Sequence, residues 1–295
     1  MTESPLIRVL GEVMVDVLAR TSTAPAPGSD APASISDEEG GSGANVAAWL
    51  ADLRVPVELV ARVGDDSRGA AALAVLDAAG VTLRVARDAK RATGRCVVIV
   101  TPDGERTMFP DPGANAHLAV SDLDGLPWRA GDHLHVSAYS LLREGSRVAA
   151  LTALGRARAA GLSVSIDASS EALLLALGPE AFLSWLAPGD LLLANADEAS
   201  ALTGHSNPLD ALRALTDRDL LVVVKRGADG AVVGSGDQRW SAPAMPAENR
   251  DSTGAGDAFA AGFLASWTRE ADIEEALRLA TRVAARAVSL QGGRP

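Results

Sequence analysis

The segment Asp251-Ser252-Thr253-Gly254-Ala255-Gly256-Asp257-Ala258-Phe259 combines residue types that anion chemistry needs. Two glycines let a backbone approach a ligand without side-chain obstruction. A helix is expected from about Asp257 to Trp267. The free N–H groups at its start, with the helix dipole behind them, favour an anion such as a phosphate. Asp257 puts a carboxylate beside that anion hole, though an acid in a first turn is also an ordinary helix-start residue. No Gly-Lys-Ser/Thr occurs in the chain, so this is not a Walker A loop. A second cluster, Gly40-Gly41-Ser42-Gly43-Ala44-Asn45-Val46-Ala47, also leads into a helix. It fits the dinucleotide fingerprint poorly, lacking the third glycine, and alone reads equally as a tight turn. Asn195-Ala196-Asp197-Glu198 follows the apolar run Leu191–Leu193. At the carboxyl end of a strand it could hold a hydrated metal or a phosphate. It also has the spacing of a helix cap, with Asn195 as N-cap and Glu198 as its partner. His133 and His135 alternate on one strand face, but no third ligand for a metal is nearby.

These residues need a scaffold. The chain has 295 residues, 47% hydrophobic and 22% charged, a globular composition that can bury a sizeable core. Apolar runs of strand length lie at Ile7–Leu10, Val57–Val60, Val97–Val100, Leu134–Val136, Val164–Ile166, Leu191–Leu193 and Leu221–Val224. Helical spacing separates several of them. Val46, Leu50 and Leu53 share a face, as do Leu73 and Leu76 before Gly80, Val148, Leu151 and Leu154 before Gly161, and Ile273, Leu277 and Ala280. Continuous apolar strands alternating with helices predict an α/β fold with a mostly parallel sheet covered on both faces. Thr21–Ser36, rich in Pro, Ala, Ser and Gly, reads as loop or edge structure. Thr93–Pro112 reads as a hairpin, Cys96–Val100 and Arg106–Phe109 about a Pro102-Asp103-Gly104 turn, standing off the main sheet as a lid. One domain over 1–295 is expected, with lid segments at about 12–40 and 93–112.

Composition excludes some partners. The net charge of −11 argues against a broad nucleic-acid surface, and 3% aromatic residues against a base-stacking platform. No run approaches the length of a membrane span. The N-terminal residues lack the pattern of a secretory signal, and a cytoplasmic location is expected. Cys96, the single cysteine, reads as a small buried hydrophobe.

Taken together, Gly40–Ala47, Asn195–Glu198 and Asp251–Phe259 resemble the signatures of the ribokinase-like (PfkB) carbohydrate kinases. The resemblance extends to Gly11-Glu12-Val13-Met14-Val15-Asp16, Arg62-Val63-Gly64-Asp65-Asp66, Asp103-Gly104-Glu105-Arg106 and Val224–Gly230, nearly the whole chain. It implies a three-layer α/β/α fold with a small β lid and ATP-dependent phosphorylation of a small hydroxylated substrate. Asp257 then matches the catalytic base and Gly254, Ala255 and Gly256 its anion hole. Asn195 and Glu198 match residues that organise Mg²⁺ and phosphate, Glu198 through water. Lys225, Gly227 and Gly230 fall in the nucleotide-contacting segment, and Thr281 stands where many relatives place a polar nucleotide contact. Asp16, Gly41 and Asn45 match sugar-hydroxyl contacts, with Ser42 beside them. Some relatives require K⁺ near the anion hole.

Ribokinases commonly carry Asn where this chain has Met14 and Lys where it has Ser42. The opening motif looks more like fructokinases and 2-keto-3-deoxygluconate kinases. A ketohexose or sugar acid is therefore the favoured substrate, with a nucleoside kinase or a non-catalytic sugar- or nucleotide-binding relative as alternatives. Arg106 on the lid could meet a substrate carboxylate or be an ordinary exposed hairpin arginine, and Tyr139 could line the sugar pocket or simply pack. The chain ends at Gly292-Gly293-Arg294-Pro295, so an abbreviated adenine wall is expected. The lid's strand edges suggest a homodimer contact.

Overall fold

The computed structural model describes residues 4–103, 105–248, 250–270 and 272–295. Met1–Glu3 of the expected N-terminus and Gly104 of the expected turn lie outside the described residues. The first part of the chain contains β1 (Ile7–Leu10), β2 (Met14–Thr21), β3 (Ala33–Gly40), α1 (Ser42–Asp52), β4 (Val57–Gly64), α2 (Ser67–Ala78), β5 (Thr82–Asp88), β6 (Gly94–Val100) and β7 (Arg106–Asp111). The middle adds β8 (His133–Ser137), α3 (Tyr139–Leu142), α4 (Glu144–Ala159), β9 (Ser163–Asp167), α5 (Glu171–Leu177), α6 (Pro179–Leu183), β10 (Leu191–Asn195), α7 (Ala196–Thr203) and α8 (Pro208–Thr216). The last part adds β11 (Leu221–Lys225), β12 (Ala231–Ser235), β13 (Gln238–Ala242), α9 (Ala255–Glu270) and α10 (Ile273–Val288).

Nine strands form one sheet in the order β13-β12-β11-β10-β9-β8-β1-β4-β5, parallel except for β12 and β13. Alternate residues of each strand point to opposite faces. Leu191, Leu193 and Val223 join α1, α2, α9 and α10 on one side. Leu192, Ala194, Val222 and Val224 join α4 through α8 on the other. This double covering is why the strands read as unbroken apolar runs. The antiparallel β12 and β13 were not among the expected strands, because Gly234, Ser235 and Arg239 interrupt their apolar pattern.

A separate four-stranded sheet, β3-β2-β6-β7, springs from the carboxyl end of β1. Val97–Val100 therefore belongs to this sheet and not to the main one. β3 lies at its edge, so Ala33–Ser36 is edge strand, while β2 is a full strand within the sheet. Register brings Asp16 opposite Cys96 and Glu38, on the face that also carries the small apolar cluster of Met14, Leu18, Val98 and Val100.

His133 and His135 form no metal face. The His133 ring lies between the hydroxyls of Ser163 and Ser165 at 2.8 and 2.7 Å, and His135 Nδ1 meets Ser165 at 2.8 Å. Burial drives both imidazoles toward the neutral form, to about 3 and about 4. Among the described residues no helix is long and apolar enough to cross a membrane.

Candidate active site

Ligand-facing groups collect where the parallel strands end, as the geometry of open α/β sheets requires. α9 begins at Ala255, directly after Gly254, whose φ is +70°. A side chain on Gly254 would strike the backbone of Gly293 at 2.6 Å. Only glycine therefore permits both this turn and this approach. Asp257 lies in the first turn.

Its partners come from the other glycine cluster. α1 starts at Ser42, and a Cβ on Gly43 would come within 2.6 Å of Gly11 Cα, so the helix start is pressed against the end of β1. Ser42 and Asn45, three residues apart, share one side of α1. Ser42 Oγ donates to Asp257 Oδ1 at 2.8 Å and Asn45 Nδ2 to Asp257 Oδ2 at 2.9 Å. Burial lifts Asp257 to about 6, helped by Asp167 and opposed by these two hydrogen bonds and by Lys225. Asp16 lies within charge range of Arg294, as Asp257 does. Burial raises it to about 6, Arg294 pulls it down, and Glu38 and Glu39 push it up.

Behind Asp257, Lys225 ends β11 and Asp167 ends β9, and their side chains pair at 2.7 Å. Lys225 Nζ lies 3.4 Å from where a Cβ of Gly256 would be, so the ammonium sits beside the N-terminal turn of α9. Burial opposes that charge, but Asp167 and Glu198 overcome it and raise the Lys225 pKa.

Asn195 and Glu198 do form the capping box. Glu198 N–H donates to Asn195 Oδ1 and Asn195 N–H to Glu198 Oε2, each at 2.8 Å. Glu198 Oε1 receives no protein donor among the described residues, and burial, with Asp167 adding to it, lifts this acid to about 7. Among the described residues no three His, Cys, Asp or Glu side chains are grouped to hold a metal ion. A divalent ion here would meet Glu198 and complete its shell with water.

A cavity of about 520 Å³ opens from Lys225 and Gly256 between α9, α10 and the segment after β13. Gly227, Gly230 and Thr281 line it, with apolar walls from Met245, Phe259, Ala284 and Val288. Its width and apolar lining suit a flat heterocycle. A second cavity of about 530 Å³, lined by Asn195, Asp197, Lys225 and Arg226 among others, adjoins it at Lys225 and Gly227.

Arg106 does not stand free for a substrate carboxylate. Its Nη2 donates to Asp251 at 2.6 Å and its Nη1 to Thr253, so it ties β7 to the loop before α9. Hydrogen bonds from Thr253, Arg106 and Gly292 outweigh burial and hold Asp251 near 2. The Gly292–Arg294 segment packs against α1, where Gly293 O accepts from Trp49 Nε1 at 3.0 Å and Arg294 Nε donates to Asn45 Oδ1. Tyr139 stands at the carboxyl end of β8, half-buried, within charge range of Glu12, Asp257 and Glu198, with Arg143 over its ring at 5.6 Å.

Sequence reasoning passed over Asp167 and Arg294. The first had a usable signal, an acid closing an apolar strand. The second had none, since 249 positions separate it from Asn45.

Residues 4–295 match the profile described as pfkB family carbohydrate kinase. The chain is 34% identical to an ATP-dependent ribose-1-phosphate kinase of Halopiger xanaduensis, over 98% of this chain and 94% of that protein. It is 31% identical to a fructokinase of Escherichia coli, over 98% and 95%. A double mutant of the fructokinase of Vibrio cholerae O395, solved with fructose, ADP and a potassium ion, superposes with a TM-score of 0.82. The identity is 26%, covering 99% of this chain and 95% of that one.

Proposed function

The chain belongs to the PfkB family of carbohydrate kinases, and from that premise we propose that it transfers the γ-phosphoryl group of ATP to a hydroxyl of a small carbohydrate. The observation that carries this reading is the placement of Asp257. Its carboxylate stands at the open N-terminus of α9, steadied by Ser42 and Asn45, with Lys225 beside Gly256 and an apolar slot behind.

In the proposed reaction the acceptor lies between Asp16 and Asp257. Asp257 orients its hydroxyl and takes the proton as the oxygen bonds to the γ-phosphorus. The bond from that phosphorus to the bridging oxygen breaks, and ADP leaves with the electron pair. The backbone N–H groups of Gly254, Ala255 and Gly256 and the Lys225 ammonium hold the charge on the phosphoryl oxygens. Glu198 would hold Mg²⁺ through water, and the ion would supply further neutralisation of phosphate charge. The slot lined by Gly227, Gly230 and Thr281 takes the adenine. The β3-β2-β6-β7 sheet acts as a lid of one kinase domain, excluding water that would compete as acceptor.

The test is a coupled ADP-release assay with Mg²⁺ and K⁺ against ketohexoses, sugar acids, ribose 1-phosphate and nucleosides. ADP and phosphorylated acceptor in equal amounts are expected for at least one compound. Tight binding of an acceptor by calorimetry, with no ADP formed, would instead mark a non-catalytic binding protein.

A further inference from the structure

We propose that Arg294 is a positioning residue for the acceptor end of the site, fixing the Asn45 amide that holds Asp257 and tying β3 to it. Its guanidinium reaches three acceptors. Nε donates to Asn45 Oδ1 at 3.1 Å, Nη1 to Glu39 Oε2 at 3.2 Å and Nη2 to the Gly40 carbonyl at 2.7 Å. An amide has one accepting and one donating end. With Oδ1 claimed by Arg294, the donating Nδ2 is left for Asp257, at 2.9 Å. Without Arg294 the amide loses this anchor and can turn to the acceptor or to water.

The backbone carrying Arg294 is itself pinned. Gly292 N–H donates to Asp251 Oδ2 at 3.3 Å and Trp49 Nε1 to Gly293 O, so the segment is fastened to the phosphate-binding loop and to α1. The Arg294 side chain is 8% exposed. A buried cation costs desolvation, and Glu39, Asp16 and Asp257 offset part of it, burial still lowering the Arg294 pKa. The attraction is reciprocal, so Arg294 also helps keep Asp16 and Asp257 ionised. Asp257 is further faced by Asp167 from β9, Lys225 from β11 and Tyr139 from α3, and Asp16 by Glu38 and Glu39 from β3. Among these groups Arg294 alone is a cation on the Asp16 side.

The kinetic arm of the test rests on the kinase reading; the titration arm does not. Carboxyl-carbon NMR titrations of Asp16 and Asp257 are recorded in the wild type, with signals identified by their loss in Asp16→Asn and Asp257→Asn. In Arg294→Gln both midpoints should move to higher pH, Asp16 by more. The acid limb of kcat/KM should move the same way, and kcat should fall about 10- to 100-fold, the scale of a small misplacement of reacting groups. Arg294→Lys should restore the titrations but not kcat, because a compact ammonium lacks the planar fork that bridges three acceptors. Should Arg294→Gln fail to give a cooperative melt, Glu39→Gln serves: it removes an acid beside Asp16 and should lower the Asp16 midpoint. Unchanged midpoints and pH limb in Arg294→Gln, or full kcat in Arg294→Lys, overturn the proposal. A wild type that phosphorylates nothing defeats the kinase reading, and the titrations then decide the role of Arg294 by themselves.

Discussion

Asp257→Asn should yield an enzyme that is both slower and more stable, with a gain in stability that depends on pH. Asparagine keeps the size and the local bonds, its Oδ1 accepting from Asn45 and its Nδ2 donating to a rotated Ser42 hydroxyl, but it cannot take a proton. We expect kcat to fall by about 10²–10⁴, the usual contribution of a positioned acid–base group. The stability change follows from burial, which lifts the carboxyl from 3.8 to about 6. The folded acid is the weaker one, so the unfolded chain releases its proton first as pH rises. Stability is therefore lost between about pH 4 and pH 6 and stays lost above. At 1.36 kcal/mol for each tenfold change in acidity, the ionised group costs about 3 kcal/mol at pH 8. Water entering the open cleft reduces this to about 1–3 kcal/mol. At about 2 °C per kcal/mol for a chain of this size, Asp257→Asn should melt about 2–6 °C higher than wild type at pH 8 and at the same temperature at pH 4. Melting curves at the two pH values, beside steady-state kinetics, test both halves. A variant that keeps more than about a tenth of wild-type kcat would place the base elsewhere. An equal melting gain at both pH values would refute the electrostatic account.

In the wild type, kcat/KM should climb as pH rises through about 6, where Asp16 and Asp257 ionise, and a flat profile from pH 5 to 8 would contradict this. Asp16→Ala should weaken acceptor binding by about 1–3 kcal/mol and leave ATP affinity unchanged, as read by calorimetry with each ligand. Thr281→Trp should crowd the apolar slot and weaken ATP binding about tenfold or more without altering acceptor affinity. Arg106→Ala frees Asp251 and unties β7 from the loop before α9; ADP formed per phosphorylated acceptor should then rise above one, as water gains access.

Much of the fold was legible because burial on both faces leaves a local trace. Leu191–Leu193 and Leu221–Val224 are unbroken apolar runs because each strand meets helices above and below, and both runs became strands of the main sheet. The glycines before α1 and α9 were legible for a similar reason: a positive φ at Gly254, or backbone contact at Gly43, leaves no other residue type possible. β12 and β13 were hidden because Gly234 and Ser235 cut the buried apolar run of β12 short, and the largely exposed edge strand β13 needs no apolar continuity. The Asn195–Glu198 spacing was compatible with a cap and with a ligand site, and tertiary structure formed the cap through Glu198 Oε2.

Residue types and short spacings determined that an acid would stand in the first turn of a helix entered through a glycine turn, since both lie within one turn of chain. They could not determine what surrounds that acid. Ser42, Asn45, Asp167, Lys225 and Arg294 reach Asp257 from four separate segments of the chain, and Arg106 reaches Asp251 across 145 positions. Such contacts carry no local signature, because charge and hydrogen bonding act through distance in space and not along the chain. The pKa of Asp257, the place of the Gly292–Arg294 segment and the tie from β7 therefore exist only once the sheet order has brought the strand ends together.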